Sequence, residues 1–307
     1  MFKKLCAFLG FLLFFSWGGP LICIGSPYNV RLEKKSYPTT VIFKKNEIKG
    51  NYYCPEPDEG KPLIVAVHGT SYGKWMWDVP GYSWAKYFTE ELGYPLLAID
   101  RIGCGDSSHP NGDLLTPCYQ LNTLKDCLRQ VKKEHTNRKI IWAGHSMGGQ
   151  YGNLIAAETD LIDGLIIMGL FHCKVSALGP PVSAFLADDY VIWPSEGRGE
   201  ALYHADGADP AVIAYDNNHA HAIPRGTAFE ALGLDKFVLD KIELPVFWAA
   251  GEYDKMWESI DMVSEVSLYE HADVQSYLQE NAGHMNILHL NNQLVLDEIR
   301  AWLGTNF

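Results

Sequence analysis

The sequence predicts an α/β protein in which helices flank a mostly parallel sheet. Five short runs of nearly continuous apolar residues recur along the chain, which is typical of strands buried on both faces. Stretches with helical periodicity separate these runs, and this alternation favours a layered fold with right-handed crossovers. The chain has 307 residues, of which 47% are hydrophobic, enough for a large core.

The predicted elements follow in chain order. Residues 39–45 and 47–55 predict an antiparallel pair of strands near the start. The sheet strands are predicted at 62–69, 94–100, 139–146, 161–170, 244–252 and 273–280. The helices are predicted at 81–92, 121–135, 148–160, 256–268 and 294–304.

One stretch interrupts the alternation of strands and helices. Residues 171–243, named here the inserted segment, are rich in Pro, Gly, Ala, Asp and His and contain no clear strand. The stretch is too long for an ordinary loop, which favours several short helices. Because it follows the carboxyl end of a strand, where open α/β sheets bind ligands, we expect it to act as a lid.

The N-terminus has the pattern of a secretory signal peptide. Lys3 and Lys4 precede an uncharged apolar run and then small residues. We therefore expect residues 1–25 to be removed, the protein to be secreted, and residues 26–307 to form one domain with a lid. The alternative is an uncleaved signal anchor that keeps the protein at a membrane.

The net charge of the chain limits the kinds of partner that it is expected to bind. The formal net charge is −12 and becomes −12 − 2 = −14 without the two leader lysines. A negative protein gains nothing from counterion release, so nucleic acids and anionic membranes are not expected partners. Five cysteines lie beyond the leader, and their pairing and the oligomeric state stay open.

A glycine-flanked serine is the first candidate for chemistry. The stretch from Gly144 to Gly148 reads G-H-S-M-G, between a predicted strand and a predicted helix, and has Ser146 at its centre. A nucleophile that must stand clear of a sheet needs a sharp strand-to-helix turn, and the glycines leave room for it. The following helix directs its first amides towards the place where an oxyanion would form.

A serine nucleophile needs a base, and the base needs an acid. His284 follows the last predicted strand and is the leading base. Glu252 and Asp254 both follow the preceding strand; we favour Asp254 because it lies further into the turn and can reach the imidazole. The order Ser, Asp, His is one of the known orders of this constellation.

Four motifs together resemble the α/β-hydrolase fold superfamily, in particular its secreted serine hydrolases of the esterase and lipase type. They are HGT at 68–70, DRIGCGDSS at 100–108, GHSMGG at 144–149 and GEYD at 251–254 with His284 downstream. The resemblance implies an oxyanion hole made by the backbone amides of Met147 and Thr70. It also implies that residues 100–108 support the fold beside the site.

The predicted function is hydrolysis of a carboxylic ester, lactone or thioester through an acyl-enzyme on Ser146, without metal or other cofactor. Tyr72, Trp75 and Trp77 follow the HGT motif and are candidates for an apolar substrate wall, although packing of a loop would use the same residues. Two alternatives remain on this fold: a non-hydrolytic enzyme, such as an acyltransferase or lyase of a biosynthetic pathway, and a ligand-binding protein.

A second group of polar residues lies in the inserted segment. Histidines and aspartates occur together there and are types that bind metals, but nothing in their spacing fixes a geometry, so we expect no metal site. These residues are His204, Asp206, Asp209, His219 and His221.

Overall fold

The computed structural model describes residues 26–41, 44–176, 178–228 and 236–307. Eight strands form one sheet in the order β1-β2-β4-β3-β5-β6-β9-β10, and β7 pairs with β8 in a second, two-stranded sheet. The strands are β1 Asn29–Val41, β2 Lys44–Glu56, β3 Leu63–Val67, β4 Leu96–Ile99, β5 Ile140–His145, β6 Gly164–Met168, β7 Tyr190–Val191, β8 Ile223–Pro224, β9 Val246–Gly251 and β10 Val274–Gln279. Strand β2 runs antiparallel to both β1 and β4, and every other neighbouring pair in the large sheet is parallel.

Helices connect the parallel strands. They are α1 Trp84–Lys86, which continues as a π-helical turn over Tyr87–Glu91, α2 Pro117–Glu134, α3 Met147–Glu158, α4 Val182–Ala187, α5 Ser195–Leu202, α6 Pro210–His219, α7 Met262–Val266 and α8 Asn292–Asn306. Single 3-10 turns cover Lys74–Trp77, Gly112–Leu114, Ala205–Gly207, Arg225–Thr227, Lys236–Lys241 and Asn286–Leu288. None of the helices within the described ranges is long and apolar enough to span a bilayer.

The predicted fold class is confirmed, since each of the apolar runs is a strand of the mostly parallel sheet. Strands β3, β5, β6 and β9 are buried along their whole length, which explains why they lack an alternating pattern. Apolar side chains from the two faces of the sheet form two separate core clusters beneath the helices.

Several element boundaries differ from the prediction, and two of them differ most. Strand β1 ends at Val41 and β2 begins at Lys44, so the predicted strand at 39–45 covers the end of one strand and the start of the next. Strand β1 is the earlier stretch Asn29–Val41, whose first half is mostly exposed and carries no apolar pattern. The helix predicted at 256–268 contains only α7, because Met256 and Trp257 instead contact the loops around the site. Asp261 caps this short helix by accepting from the Ser264 amide at 3.0 Å.

The inserted segment lies between β6 and β9 and contains α4, α5, α6 and the β7–β8 pair. Short helices were predicted there, whereas the two-residue strands were not, because Tyr190–Val191 and Ile223–Pro224 are too short to show a pattern. The predicted leader, residues 1–25, lies outside the described residues. Cys54, Cys118, Cys127 and Cys173 are free thiols among the described residues.

Candidate active site

Ser146 occupies a strained turn between β5 and α3. Its φ is 52° and its ψ is −122°, a backbone conformation that costs a non-glycine residue about 1–3 kcal/mol. The turn is held at both ends: the Ser146 amide donates to the Met168 carbonyl at 2.7 Å, and its carbonyl accepts from the Gly149 amide at 2.8 Å. This turn places Ser146 at the carboxyl end of the parallel sheet, which is where the motif predicts the nucleophile.

Three glycines permit this turn because a Cβ at each would meet another part of the site. At Gly144 it would strike the backbone of Gly148, and at Gly148 it would strike the Val67 carbonyl of β3. At Gly69 it would lie 2.9 Å from the Ser146 Cβ. The glycine-rich composition of the motif is thus explained by close backbone approach.

Asp254 and His284 meet where the turns after β9 and β10 cross. The Asp254 Oδ2 accepts a hydrogen bond from the His284 Nδ1 at 2.8 Å, and Oδ1 accepts from the Met256 amide at 2.9 Å. Gly251 and Gly283 allow this crossing, since a Cβ on Gly251 would strike the Gly283 carbonyl. Both residues are buried, with 3% of Asp254 and 4% of His284 exposed.

The competing acid, Glu252, does not face the imidazole. Its carboxylate accepts from the Asn281 amide at 3.3 Å, and its own amide donates to the Gln279 carbonyl. The structure therefore places Asp254, the favoured candidate, beside His284 Nδ1. With Nδ1 donating to Asp254, the other ring nitrogen of a neutral His284, Nε2, is left as a proton acceptor.

Two further histidines hold the backbone around His284. His289 donates from Nδ1 to the Met285 carbonyl at 2.9 Å, and its Nε2 accepts from the Gly283 amide at 2.9 Å. His145 donates from Nε2 to the carbonyl of His284 itself, also at 2.9 Å. The residues before and after His284, as well as its own carbonyl, are thus fixed by buried imidazoles.

Both of these imidazoles are neutral at neutral pH. Burial lowers the pKa of His289 to about 4 and that of His145 to about 3. The Nε2 of His289 must also stay unprotonated in order to accept the amide hydrogens of Gly283 and His204. The contacts of His289 therefore hold the backbone on both sides of His284.

The loop after β3 is fixed in a similar way. His68 is fully buried; its Nδ1 donates to the Gly69 carbonyl at 2.8 Å, and its Nε2 accepts from the Arg101 amide at 3.0 Å. Lys74 forms ion pairs with Asp100 and Asp106 of the DRIGCGDSS motif. These contacts connect the loop that contains Thr70, the predicted oxyanion residue, to the residues that follow β4.

A cavity of about 150 Å³ joins the predicted catalytic residues. Ser146, Met147, His284 and Thr70 all line it, and the remaining lining is mostly apolar. The inserted segment supplies much of that wall with Val175, Leu178, Phe185, Trp193, Leu202 and Ile223, and the turn after β9 adds Met256 and Trp257. None of these apolar residues was predicted, because their contact with the site depends on tertiary packing.

The three predicted substrate residues have different placements. Tyr72 lines the cavity, whereas Trp75 and Trp77 are not among the described residues of its lining. Trp77 is fully buried in the core and packs edge-to-face on Trp84, with ring centroids 5.6 Å apart. Trp75 packs against the outer side of Tyr72 at 5.4 Å. Both tryptophans therefore pack against other aromatic side chains, and of the three candidates only Tyr72 is among the described residues that line the cavity.

The polar residues of the inserted segment are not gathered into a metal-binding cluster. No group of three His, Cys, Asp or Glu side chains suited to a metal ion occurs in the part of the chain that the structure describes. His204 stacks on Tyr253 at 4.0 Å, and His219 stacks on Tyr215 at 3.9 Å. Asp209 caps α6 through the Ala211 amide.

Comparison with known proteins agrees with the observed fold. The model of the alpha/beta hydrolase family matches residues 64–298. The AB hydrolase superfamily protein YfhM of Bacillus subtilis (strain 168) is 28% identical over 127 residues, which cover 40% of this chain and 41% of that protein. The chain thus matches about two fifths of the length of this curated relative.

Solved structures show the same fold at low identity. A thermophilic esterase from Thermogutta terrifontis superposes with a TM-score of 0.66 at 20% identity, over 89% of this chain and 98% of the other. The enol-lactonase from Burkholderia xenovorans LB400 superposes with a TM-score of 0.62 at 17% identity, over 84% and 97% of the two chains. At these identities the likeness establishes the fold alone.

Proposed function

The chain belongs to the α/β hydrolase family, and within that family we propose that it is a serine hydrolase that cleaves carboxylic esters. One observation carries the proposal: Ser146, in its strained turn, and His284, which is hydrogen-bonded to Asp254, both line one mostly apolar cavity. Thioesters and lactones undergo the same attack and belong to the proposal.

In the proposed reaction the Ser146 Oγ attacks the acyl carbonyl carbon, while Nε2 of His284 takes the hydroxyl proton. The resulting imidazolium is stabilised by the Asp254 carboxylate at Nδ1. It then gives the proton to the leaving alkoxide, and an acyl-enzyme remains on Ser146. Water repeats the sequence with His284 as base, which releases the carboxylic acid and restores the serine.

The negative charge of the tetrahedral intermediate requires donors opposite Ser146. Met147 is the first residue of α3, and the first amides of a helix have no acceptor within it. Thr70 follows Gly69, whose missing side chain brings that loop against Ser146. We propose that these two backbone amides form the oxyanion hole, where a single donor contributes about 10²- to 10³-fold in kcat.

The cavity also favours a class of substrate. No Asp, Glu, Lys or Arg is among the described residues that line it, and apolar side chains form most of its wall. A charged substrate group would be desolvated there without a partner. We therefore propose a small neutral ester with an apolar acyl or alcohol group as the substrate.

We further propose that the protein is exported. The support is the sequence of residues 1–25, with Lys3 and Lys4 ahead of an apolar run. The formal charge of −14 without that leader agrees with a protein that does not bind nucleic acid.

The test is hydrolysis of p-nitrophenyl esters of graded acyl length, together with labelling by a small fluorophosphonate. Ser146→Ala should lose about 10³-fold or more in kcat and all labelling. Ser267→Ala is the matched control, because it removes an exposed hydroxyl that bonds only the Ser264 carbonyl. Label on another serine, with Ser146 unmodified, would refute the assignment.

The same assay separates the two alternative functions. If added alcohols capture the acyl group faster than water, with the corresponding ester as main product, the protein is an acyltransferase. A protein that binds neutral esters but neither turns them over nor accepts the fluorophosphonate is a binding protein.

A further inference from the structure

The inserted segment contains a fully buried ion pair. Arg198 of α5 and Asp216 of α6 both have 0% exposed side chains, and the Arg198 Nη1 lies 2.8 Å from the Asp216 Oδ1. Because the cost of desolvation offsets the attraction between the two charges, a buried ion pair adds little stability. A contribution to stability therefore does not explain why this pair is present. Neither residue is among the described residues that line the cavity, which argues against direct contact with substrate.

The pair reaches the active site through one tyrosine. The Tyr72 hydroxyl donates to the Asp216 Oδ2 at 2.5 Å, across 144 positions of sequence. The Arg198 guanidinium lies over the Tyr72 ring, 4.4 Å from its centroid. The Tyr203 hydroxyl donates to the same Oδ2 at 2.6 Å, but Tyr203 belongs to the inserted segment itself. Burial raises the pKa of both phenols, which keeps them as donors.

A second contact joins the same two parts of the chain. The His221 amide, also in the inserted segment, donates to the Ser71 carbonyl at 2.8 Å. Ser71 has a φ of 66°, in the left-handed region that non-glycine residues rarely adopt. A loop in such a conformation persists only where its surroundings hold it.

We propose that Asp216 and Arg198 are positioning residues that hold the oxyanion loop, residues 69–73, through the Tyr72 side chain. The inference rests on the proposed function, since it assigns Thr70, two residues before Tyr72, to the oxyanion hole. Displacement of a transition-state donor by about 1 Å is enough to lower kcat on the order of 10²-fold. The inserted segment would then contribute to the chemical step as well as to the cavity wall.

A pair of matched variants tests this. Tyr72→Phe and Tyr203→Phe each remove one hydroxyl hydrogen bond to the same Asp216 oxygen and leave the ring in place. Only Tyr72→Phe removes a contact between Asp216 and the oxyanion loop. We expect it to lower kcat about tenfold or more with little change in KM, and to weaken a boronic acid inhibitor by the same factor. Tyr203→Phe should change each of these by less than about threefold.

Thermal melts of both variants serve as the stability control. Equal losses of kcat in the two variants would mean that the carboxylate acts only through stability, and would overturn the proposal. A rise in KM alone in Tyr72→Phe would also overturn it, because it would assign Tyr72 to substrate binding. Failure of the proposed function is a separate result, seen as turnover and fluorophosphonate labelling that persist in Ser146→Ala.

Discussion

Asp254 accepts two hydrogen bonds, from the His284 Nδ1 at 2.8 Å and from the Met256 amide at 2.9 Å. An asparagine in its place has only one oxygen to offer. If that oxygen accepts from the Met256 backbone amide, the side-chain NH₂ faces His284. The His284 Nδ1 must then accept, which puts the ring proton on Nε2. If the asparagine side chain is flipped, its NH₂ group faces the Met256 backbone N–H, and two donors oppose each other. Either arrangement loses one of the two bonds.

The size of the effect follows from which bond is lost. An unmade hydrogen bond to a buried group costs about 1–3 kcal/mol of stability, so the variant should still fold. The Nε2–H tautomer, however, cannot take the proton of Ser146, and an asparagine does not stabilise the imidazolium. We expect Asp254→Asn to lose on the order of 10²- to 10⁴-fold in kcat at neutral pH, which corresponds to about 3–5 kcal/mol of barrier.

The assay is kcat and KM for p-nitrophenyl butyrate at pH 7, with a thermal melt of each variant. Glu252→Gln is the matched control, because it makes the same acid-to-amide change two residues away, where the side chain contacts the Asn281 amide instead of His284. It should lose less than about threefold in kcat. If Glu252→Gln is inactive while Asp254→Asn retains normal kcat, the acid is Glu252 and the reasoning from geometry is refuted.

Three further predictions follow. Because burial lowers the His289 pKa from 6.5 to about 4, neutral His289 should make its full contribution to the free energy of unfolding above pH 6.5. That contribution should fall by up to about 3 kcal/mol as the pH drops to 4. His289→Gln should reduce that slope in urea titrations and leave the part that comes from His145, whose pKa burial lowers to about 3; an unchanged slope would contradict the prediction. Gly69→Ala should lower kcat at least about tenfold, since the new Cβ would lie 2.9 Å from the Ser146 Cβ, and unchanged kcat would argue against close approach. N-terminal sequencing of the native protein should begin between about residues 19 and 31; an intact Met1 would contradict export.

The fold could be predicted because its signal is local. Each central strand is a short apolar run, and the GHSMGG motif encodes its own turn in consecutive residues. Asp254 and His284 could be predicted as candidates for a similar reason, since each lies in the turn after a strand of a parallel sheet whose carboxyl ends share one edge. The error in the first hairpin has the opposite cause, because β1 is largely exposed and carries no apolar signal.

The support of the site could not be predicted from local patterns. His289 contacts Gly283 and Met285 only because a 3-10 turn reverses the chain after His284. The Tyr72–Asp216 bond joins residues far apart in sequence, and no spacing rule links them. The sequence of the inserted segment shows only an irregular polar stretch. In the structure, its Asp216 carboxylate is buried and accepts a hydrogen bond from Tyr72 of the oxyanion loop. The inserted segment cannot move as one lid without breaking its hydrogen bonds to Tyr72 and Ser71. These two hydrogen bonds therefore connect the wall of the cavity to the loop geometry that we propose for catalysis.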